Sequence, residues 1–172
     1  MRIEFLIMSG IGVFFGIFAA YFAYLKKSPE SKKAGWMWAI GSFLFCVIFF
    51  NVIMTFVDIS NDNRKEEAFE VLDKQYKEQG DKENESLNNV RLSIKTDSQT
   101  KSISHYIYVG NYNNKRTYKG KVHVELVKDN EVVEEYTTKS ITIKPGEKQE
   151  VTFFKGPRSY DSYRWEWEGT LR

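Results

Sequence analysis

Two long apolar stretches occupy the first third of this 172-residue chain. They run from about residue 3 to 25 and from about residue 34 to 59. A helix needs about 20 apolar residues to cross the hydrocarbon core of a bilayer, and both stretches reach that length. The sequence therefore predicts a membrane α-hairpin of two transmembrane helices over residues 1–59, with a polar region behind it.

The turn between the two stretches predicts the orientation of the hairpin. Its basic residues are Lys26, Lys27, Lys32 and Lys33. The opposite side offers fewer, which are Arg2, Arg64 and Lys65. Because short loops rich in lysine stay in the cytoplasm, we expect a multi-pass protein of the cell membrane whose C-terminal region is extracytoplasmic.

Small residues recur at helical spacing in both apolar stretches. They are Gly12, Gly16 and Ala20 in the first stretch, and Ala39, Ser42 and Cys46 in the second. Such residues let helix backbones approach closely in a membrane. They are interpreted either as packing the two helices against each other or as docking a helix of another membrane protein.

Asn51 is the one strongly polar side chain well inside the second stretch. A buried amide in a membrane takes a hydrogen-bond partner. That partner is expected to be Ser9 on the first helix or a second copy of the chain, which would give a homodimer through the hairpin.

Residues 60–89 predict an amphipathic stalk helix followed by a polar linker. The helix is expected from Asn61 to Gln79, with a cap at residues 60–62 and an end at Gly80. Its apolar face consists of Ala68, Phe69, Val71, Leu72 and Tyr76. This face is interpreted as lying on the membrane or packing on the following domain, and alternatively as an oligomerisation surface.

From residue 90 onward the apolar period changes from helical to two, which indicates β-strands. Short alternating segments recur up to the last one, around Trp165, and turn signals such as Asp129-Asn130 separate them. There is no room for helical crossovers between parallel strands. We therefore predict an all-β antiparallel sandwich of about seven strands over residues 90–172, and expect residues 87–172 to fold alone.

Part of this region resembles a known group of bacterial domains. The motifs are Tyr108-Val109-Gly110-Asn111, then residues 120–126, then Ile143-Lys144-Pro145-Gly146-Glu147, and finally Phe153. Over residues 90–154 they are similar to cell-surface FxLYD-type and related immunoglobulin-like β-sandwich domains. The resemblance implies an immunoglobulin-like fold and offers no catalytic residues.

Charge and cysteine content restrict the classes of function. The chain has 25 basic and 23 acidic residues, and the two kinds are equal in number from residue 60 onward. Such a balance gives no basic field for nucleic acid. The single cysteine, Cys46, lies in an apolar stretch, so the polar region needs no disulfide. A cysteine-free envelope domain is typical of a Gram-positive bacterium.

No combination of residue types indicates catalysis, a metal or a cofactor. The two histidines, His105 and His123, are well separated, and the only thiol is in the membrane. A nucleophile needs a base brought beside it, and a metal site needs several ligands at close spacing. We therefore expect no enzyme activity and no cofactor, with His105 a core or edge residue.

Aromatic residues supply the candidate contact surfaces. Trp165 and Trp167 share a strand face with Tyr163, which we interpret as core, the alternative being a platform for glycan or peptide. The predicted contact surface has two parts. One is a group of tyrosines expected on the opposite strand register from the core residues, and the other is the loop 156–162, because loops held by rigid strands often carry ligand-binding residues. The residues of this surface are Tyr106, Tyr108, Tyr112, Arg158 and Tyr160, with Tyr118 in the tyrosine group.

Together these features favour a membrane-anchored extracytoplasmic binding or scaffolding module without catalytic activity. Its expected partners are membrane lipid and another membrane or envelope protein, not nucleic acid. The alternative is an intramembrane accessory or regulatory subunit whose helical hairpin docks on a partner membrane protein.

Overall fold

In the residues that the structure describes, two long helices are followed by seven antiparallel strands; the sequence predicts the strands, but it predicts a separate third helix from Asn61 to Gln79. The computed structural model describes residues 3–27, 31–97 and 103–172. The helices are α1 (Ile3–Lys27) and α2 (Lys32–Gln79). The chain divides into two compact units, Met1–Asp62 and Asn63–Arg172, so the boundary falls within α2.

Many of the described apolar side chains of both helices in the N-terminal unit are exposed. Phe14 of α1 and Phe56 of α2 are 66% and 70% exposed. Only 6% of the most apolar window of α2 is buried within the protein. Both helices are long and apolar enough to cross a membrane.

The predicted helix start at residues 60–62 is wrong, because α2 continues through them to Gln79. A cap is used only where the backbone enters a helix from outside. Residues 42–79 contain neither glycine nor proline, the two residues that most disfavour a helix interior. The predicted end is confirmed at Gly80, whose N–H donates to the carbonyl of Tyr76 at 2.8 Å.

Seven strands occupy the region where the period of two predicts them, after a short 3-10 helix at Leu87–Asn89. They are β1 (Val90–Asp97), β2 (Ile103–Asn111), β3 (Tyr118–Lys128), β4 (Glu131–Thr137), β5 (Ile141–Ile143), β6 (Lys148–Gly156) and β7 (Ser162–Leu171). Asp129 and Asn130, with φ of 52° and 65°, form the predicted hairpin turn between β3 and β4. Left-handed residues at both central positions match the right-handed twist of the strands.

The strands form two sheets whose inner faces pack together. Sheet A has the order β1-β2-β6, and in sheet B strand β3 pairs with β4 and β5 on one side and with β7 on the other. The buried core is Val90, Leu92, Ile94, Ile107, Val109, Tyr118, Val122, Val124, Leu126, Ile143 and Phe154. The architecture is therefore β-sandwich-like, with alternate residues of each strand inside.

A third layer covers the outer face of sheet A. Residues 63–79 of α2, here called the docked segment, lie within the C-terminal unit with the strands. Ala68 and Leu72 of this segment are fully buried together with Tyr108 of β2. The outer face of β1 is buried as well, at Arg91 and Ser93. The outer face of sheet A is therefore covered along β1 and the middle of β2, whereas Phe153 of β6, opposite Tyr106, remains 52% exposed.

Candidate functional site: contact surfaces of the C-terminal unit

Apolar contacts hold the middle of the docked segment against β2. The ring of Phe69 meets the ring of Tyr108 edge to face, with centroids 6.1 Å apart. Tyr108 points away from the sandwich core, because neighbouring Ile107 and Val109 take the inner face and side chains alternate along a strand. Helix residues Ala68 and Leu72 therefore shield it from solvent.

Arg64 makes polar contacts at the beginning of the docked segment. Its guanidinium carbon lies 3.6 Å from the centre of the Tyr106 ring. Its Nε donates to the hydroxyl of Tyr108 at 3.1 Å, and Nη1 lies 3.4 Å from Asp97 Oδ2. Burial raises the pKa of Tyr108 to about 12. At neutral pH a cationic Arg64 therefore donates to a neutral phenol.

Asp73 is the centre of a second polar cluster further along the docked segment. It accepts a hydrogen bond from the Tyr112 hydroxyl at 2.6 Å and pairs with the ammonium of Lys148. The ring of Tyr76 stacks on that of Tyr112, with centroids 4.4 Å apart. Partial burial opposes ionisation of Asp73, but the bonds from Lys148 and Tyr112 outweigh it and lower its pKa. The carboxylate therefore stays ionised at neutral pH.

The tyrosine face, which is Tyr106, Tyr108 and Tyr112, is thus not an open contact surface. Tyr108 is fully buried, and the other two rings lie against Arg64 and Tyr76 of the docked segment. The predicted surface does make contacts, but with a helix of the same chain. Its aromatic character has a structural explanation, since large rings bury much surface when they pair, as Tyr108 does with Phe69 and Tyr112 does with Tyr76.

Tyr118, assigned to the same group from the sequence, lies on the opposite side of the sandwich interface. It is fully buried in the core and its hydroxyl donates to the carbonyl of Lys121 at 2.5 Å. Its ring meets Trp167 at 5.1 Å. The assignment of Tyr118 to the tyrosine group is wrong, because Tyr118 belongs to β3 of sheet B, which pairs with β7. The other tyrosines of the group lie in or just after β2 of sheet A.

The loop before β7 contributes one exposed residue of the two predicted. Tyr160 is partly buried, with its ring 5.5 Å from that of His105 and 6.5 Å from that of Tyr163. It therefore packs inward and anchors the loop. Arg158 is exposed and remains available for contacts.

Trp165 and Trp167 lie on the inner face of β7, as the core interpretation predicts. They stand opposite Val124 and Val122 of β3 and pack against the core. Both remain partly exposed, because β7 is an edge strand with a neighbour on one side only. This face of β7 therefore does not form the open platform for glycan or peptide that the sequence offers as the alternative.

His105 is a buried histidine with one hydrogen bond. Its Nε2 donates to the carbonyl of Pro157 at 3.1 Å, since a carbonyl can only accept. The other ring nitrogen, Nδ1, has no partner among the described protein groups. Burial lowers the pKa of His105, so the ring is neutral at pH 7.

The buried neutral ring predicts a loss of stability at acidic pH. An unfolded histidine binds a proton near pH 6.5, whereas the folded pKa is lower. The unfolded state therefore gains protons first, and the free energy of unfolding should fall as the pH drops below about 6.5. Chemical unfolding followed by tryptophan fluorescence between pH 7.5 and 5.5 measures this slope. In His105→Gln the slope should decrease, and an unchanged slope would assign the effect to another group.

The outer face of sheet B carries paired charges around a shallow pocket of ≈ 280 Å³. The guanidinium of Arg164 lies 2.9 Å from the carboxylate of Glu125. His123 Nδ1 is 2.9 Å from the hydroxyl of Thr137. Among the described residues, no group of three or more His, Cys, Asp or Glu side chains is placed to hold a metal ion.

Buried asparagines hold the segment after α2, which the sequence predicts only as a polar linker. Asn89 Nδ2 donates to the carbonyls of Asp81 and Asn84, each at 2.7 Å. Asn113 and Ser86 exchange two hydrogen bonds, of 2.9 and 3.0 Å. Residues 81–89 are therefore attached to the loop between β2 and β3.

Glu85 completes this attachment through backbone amides. Its carboxylate accepts N–H bonds from Asn114 at 2.9 Å, Lys115 at 3.2 Å and Arg116 at 3.2 Å. Desolvation acts against the charge of Glu85, but these amides outweigh it and lower its pKa. Sequence reasoning missed the arrangement, although the asparagine-rich run before Lys115 is a turn signal.

Two of the small residues of the N-terminal unit, Gly12 and Gly16, lie at contacts between α1 and α2. Gly12 and Gly16 are buried, and a Cβ at Gly16 would come within 2.8 Å of the Phe43 ring. Asn51 accepts a hydrogen bond from Ser9 Oγ at 3.3 Å, the intramolecular partner considered from the sequence. Ala39 is buried, whereas Ala20, Ser42 and Cys46 are partly exposed.

The lysines expected to set orientation are exposed where the structure describes them. Lys26 lies near the end of α1, and Lys32 and Lys33 lie in the first turn of α2. The side chain of Lys27, the turn residues 28–30 and Arg2 are outside the described residues.

Comparisons with known proteins add no family to these observations. The chain matches no protein-family profile, no curated protein and no solved structure. The resemblance of residues 90–154 to FxLYD-type domains therefore stays a prediction.

Proposed function

We propose that this chain is a membrane-anchored binding or scaffolding module without catalytic activity. In this proposal α1 and α2 cross the cell membrane as a hairpin, and the C-terminal unit stands outside the cell as an immunoglobulin-like sandwich. Lipid surrounds the helices, and the sandwich contacts another membrane or envelope protein. We place the protein in a Gram-positive envelope on the absence of cysteine from the sandwich.

The exposed apolar surface of the two helices is the observation that carries this proposal. Phe14, Phe45 and Phe56 are each about two-thirds exposed, and many other apolar side chains share this exposure. Soluble monomers rarely expose continuous apolar surface of this extent. In a bilayer the same side chains would meet hydrocarbon, and the helix backbones would satisfy their own polar groups.

The predicted topology is tested by cysteine labelling on intact cells. In a Cys46→Ala background, Ser140→Cys should react with a membrane-impermeant thiol reagent, because Ser140 is exposed on the C-terminal unit. Ser31→Cys, in the lysine-rich turn, should react only after the cells are permeabilised. The reverse pattern would place the C-terminal unit in the cytoplasm and overturn this part of the proposal.

A groove along the helices favours the second candidate function, an accessory subunit that docks through its membrane helices. This groove of ≈ 580 Å³ includes Ala19, Gly41, Ser42 and Cys46, and larger side chains flank it. A Cβ at Gly41 would meet no atom within 4 Å, so this glycine leaves open space. Small residues bordering such a space suit a helix of another protein.

Transplanting the C-terminal unit distinguishes the two functions. Residues 63–172, which include the docked segment, would be fused to an unrelated single membrane span. Retained binding to cell-envelope proteins would support the extracytoplasmic module. Lost binding, together with capture of the partner by residues 1–62 alone, would support the accessory subunit.

A further inference from the structure

Backbone amides of the loop between β2 and β3 converge on a single carboxylate. Glu85 Oε1 accepts from the N–H groups of Asn114 and Lys115, at 2.9 and 3.2 Å. Its Oε2 accepts from those of Arg116 and Lys115, at 3.2 and 3.4 Å. These three N–H groups, here called the amide nest, thus bind both oxygens of one planar group.

The amide nest has the chemistry of an anion site. Successive backbone N–H groups that point into one concavity bind anions, and protein carboxylates are captured in this way. The exposed side chains of Lys115 and Arg116 add positive charge beside it. The charge of Arg116 helps to lower the pKa of Glu85.

Asn111 holds the loop of the amide nest through bonds that do not involve Glu85. Asn111 Nδ2 donates to the carbonyl of Arg116 at 2.8 Å and to that of Ile143 at 3.0 Å. Its Oδ1 accepts from the backbone N–H and the side chain of Asn113, at 3.1 and 2.8 Å. Because Asn111 is buried, we expect the loop to keep its conformation without the Glu85 carboxylate.

The segment that carries Glu85 is attached independently of its carboxylate. Ser86 is bonded through its backbone to Asn113, and Asn89 holds the carbonyls of Asp81 and Asn84. The Glu85 side chain could therefore leave the amide nest while its backbone stays in place. Only side-chain torsions would have to change.

We propose that the amide nest binds a carboxylate from an acidic segment of a partner protein, and that Glu85 is the internal competitor for this site. A carboxylate is favoured because the nest contacts a planar pair of oxygens. Carboxylates are thus the class of ligand that we propose for the binding module. The biological role of the amide nest rests on the proposed function, but its ability to bind a carboxylate does not. Because Glu85 is part of the same chain and already bound to the nest, an external carboxylate must compete with it.

The test uses the full chain in maltoside micelles, labelled with ¹⁵N at asparagine, lysine and arginine. Acetate is titrated at constant ionic strength, with chloride as the reference anion. In Glu85→Ala the amides of Asn114, Lys115 and Arg116 should shift saturably, at acetate concentrations at least about tenfold lower than in the unaltered protein. Glu83→Ala, which removes a nearby exposed charge, should behave like the unaltered protein.

Several outcomes would overturn the proposal. The absence of a saturable shift in Glu85→Ala would show that no anion site exists. An equal shift with chloride would show that the site does not select a carboxylate. Phosphate binding about tenfold more tightly than acetate would reject the carboxylate assignment. If Glu85→Ala disturbs the Asn111 and Asn113 signals, the titration is repeated with Glu85→Gln. If these signals are disturbed in Glu85→Gln as well, Glu85 has a structural role and the proposal is rejected. Reversed cysteine labelling would reject the extracellular placement without affecting this result.

Discussion

A chain that begins at residue 87 is expected to lose most of the stability of the β-sandwich, whereas one that begins at residue 63 should fold. The shorter chain lacks the docked segment and exposes Tyr108, which is otherwise fully buried. It also loses the partners that Asp73 and Arg64 provide to the strands. The melting of the two chains, followed by circular dichroism, measures the difference. This expectation replaces the sequence-based one that residues 87–172 fold alone.

A single substitution gives a graded form of the same prediction. Leu72 is fully buried against sheet A, and truncation of such a residue typically costs about 2–5 kcal/mol. That is a large part of the stability of a small domain, which is commonly about 5–15 kcal/mol. Lys74→Ala, at an exposed position of the same helix, is the matched control and should change little. If Leu72→Ala melted like its control, the helix would not be docked in solution.

Trp167→Ala is expected to destabilise the sandwich by about 3 kcal/mol, near the lower end for tryptophan truncation. The ring packs edge to face on Tyr118 at 5.1 Å, and its backbone stands opposite Val122. Partial exposure at the sheet edge keeps the effect below that of a fully enclosed tryptophan. Urea unfolding of the variant, compared with the unaltered protein, gives the difference in the free energy of unfolding.

Glu166→Ala provides the control for the tryptophan prediction, since Glu166 is the adjacent residue on the outer face of β7. Its removal should change the free energy of unfolding by less than about 0.5 kcal/mol. A Trp167→Ala protein as stable as this control would contradict the core assignment. The inner face of β7 would then have to be considered again as a binding platform.

Local patterns explain why the elements could be predicted from the sequence. Strands such as β1 alternate apolar and polar residues, and this alternation is fixed by the geometry of a strand alone. The turn at Asp129-Asn130 uses residues that tolerate positive φ, which is also a local property. Gly80 ends α2 for a different local reason, because a Cβ at this position would collide with the ring and the carbonyl of Tyr76.

Contacts between distant segments explain what could not be predicted. Nothing near Tyr108 indicates that Leu72 covers it, since the alternation of β2 shows only that it shares a face with Tyr106. The attachment of Glu85 to the loop at Asn114 depends on two irregular segments meeting, for which no periodic pattern exists. The sequence does not indicate the continuity of α2, because the polar residues after Ile59 favour a helix cap.

The contacts of the docked segment also determine when it can settle during synthesis of the chain. Arg64 and Tyr108 are 44 residues apart, and Asp73 and Lys148 are 75 residues apart. Contacts of such sequence separation form late, because the intervening chain must first close a long loop. Until β6 has emerged from the ribosome, Leu72 has no complete surface to pack on. The docked segment is the first part of the C-terminal unit to be synthesised. It is nevertheless among the last parts of that unit to reach its final contacts.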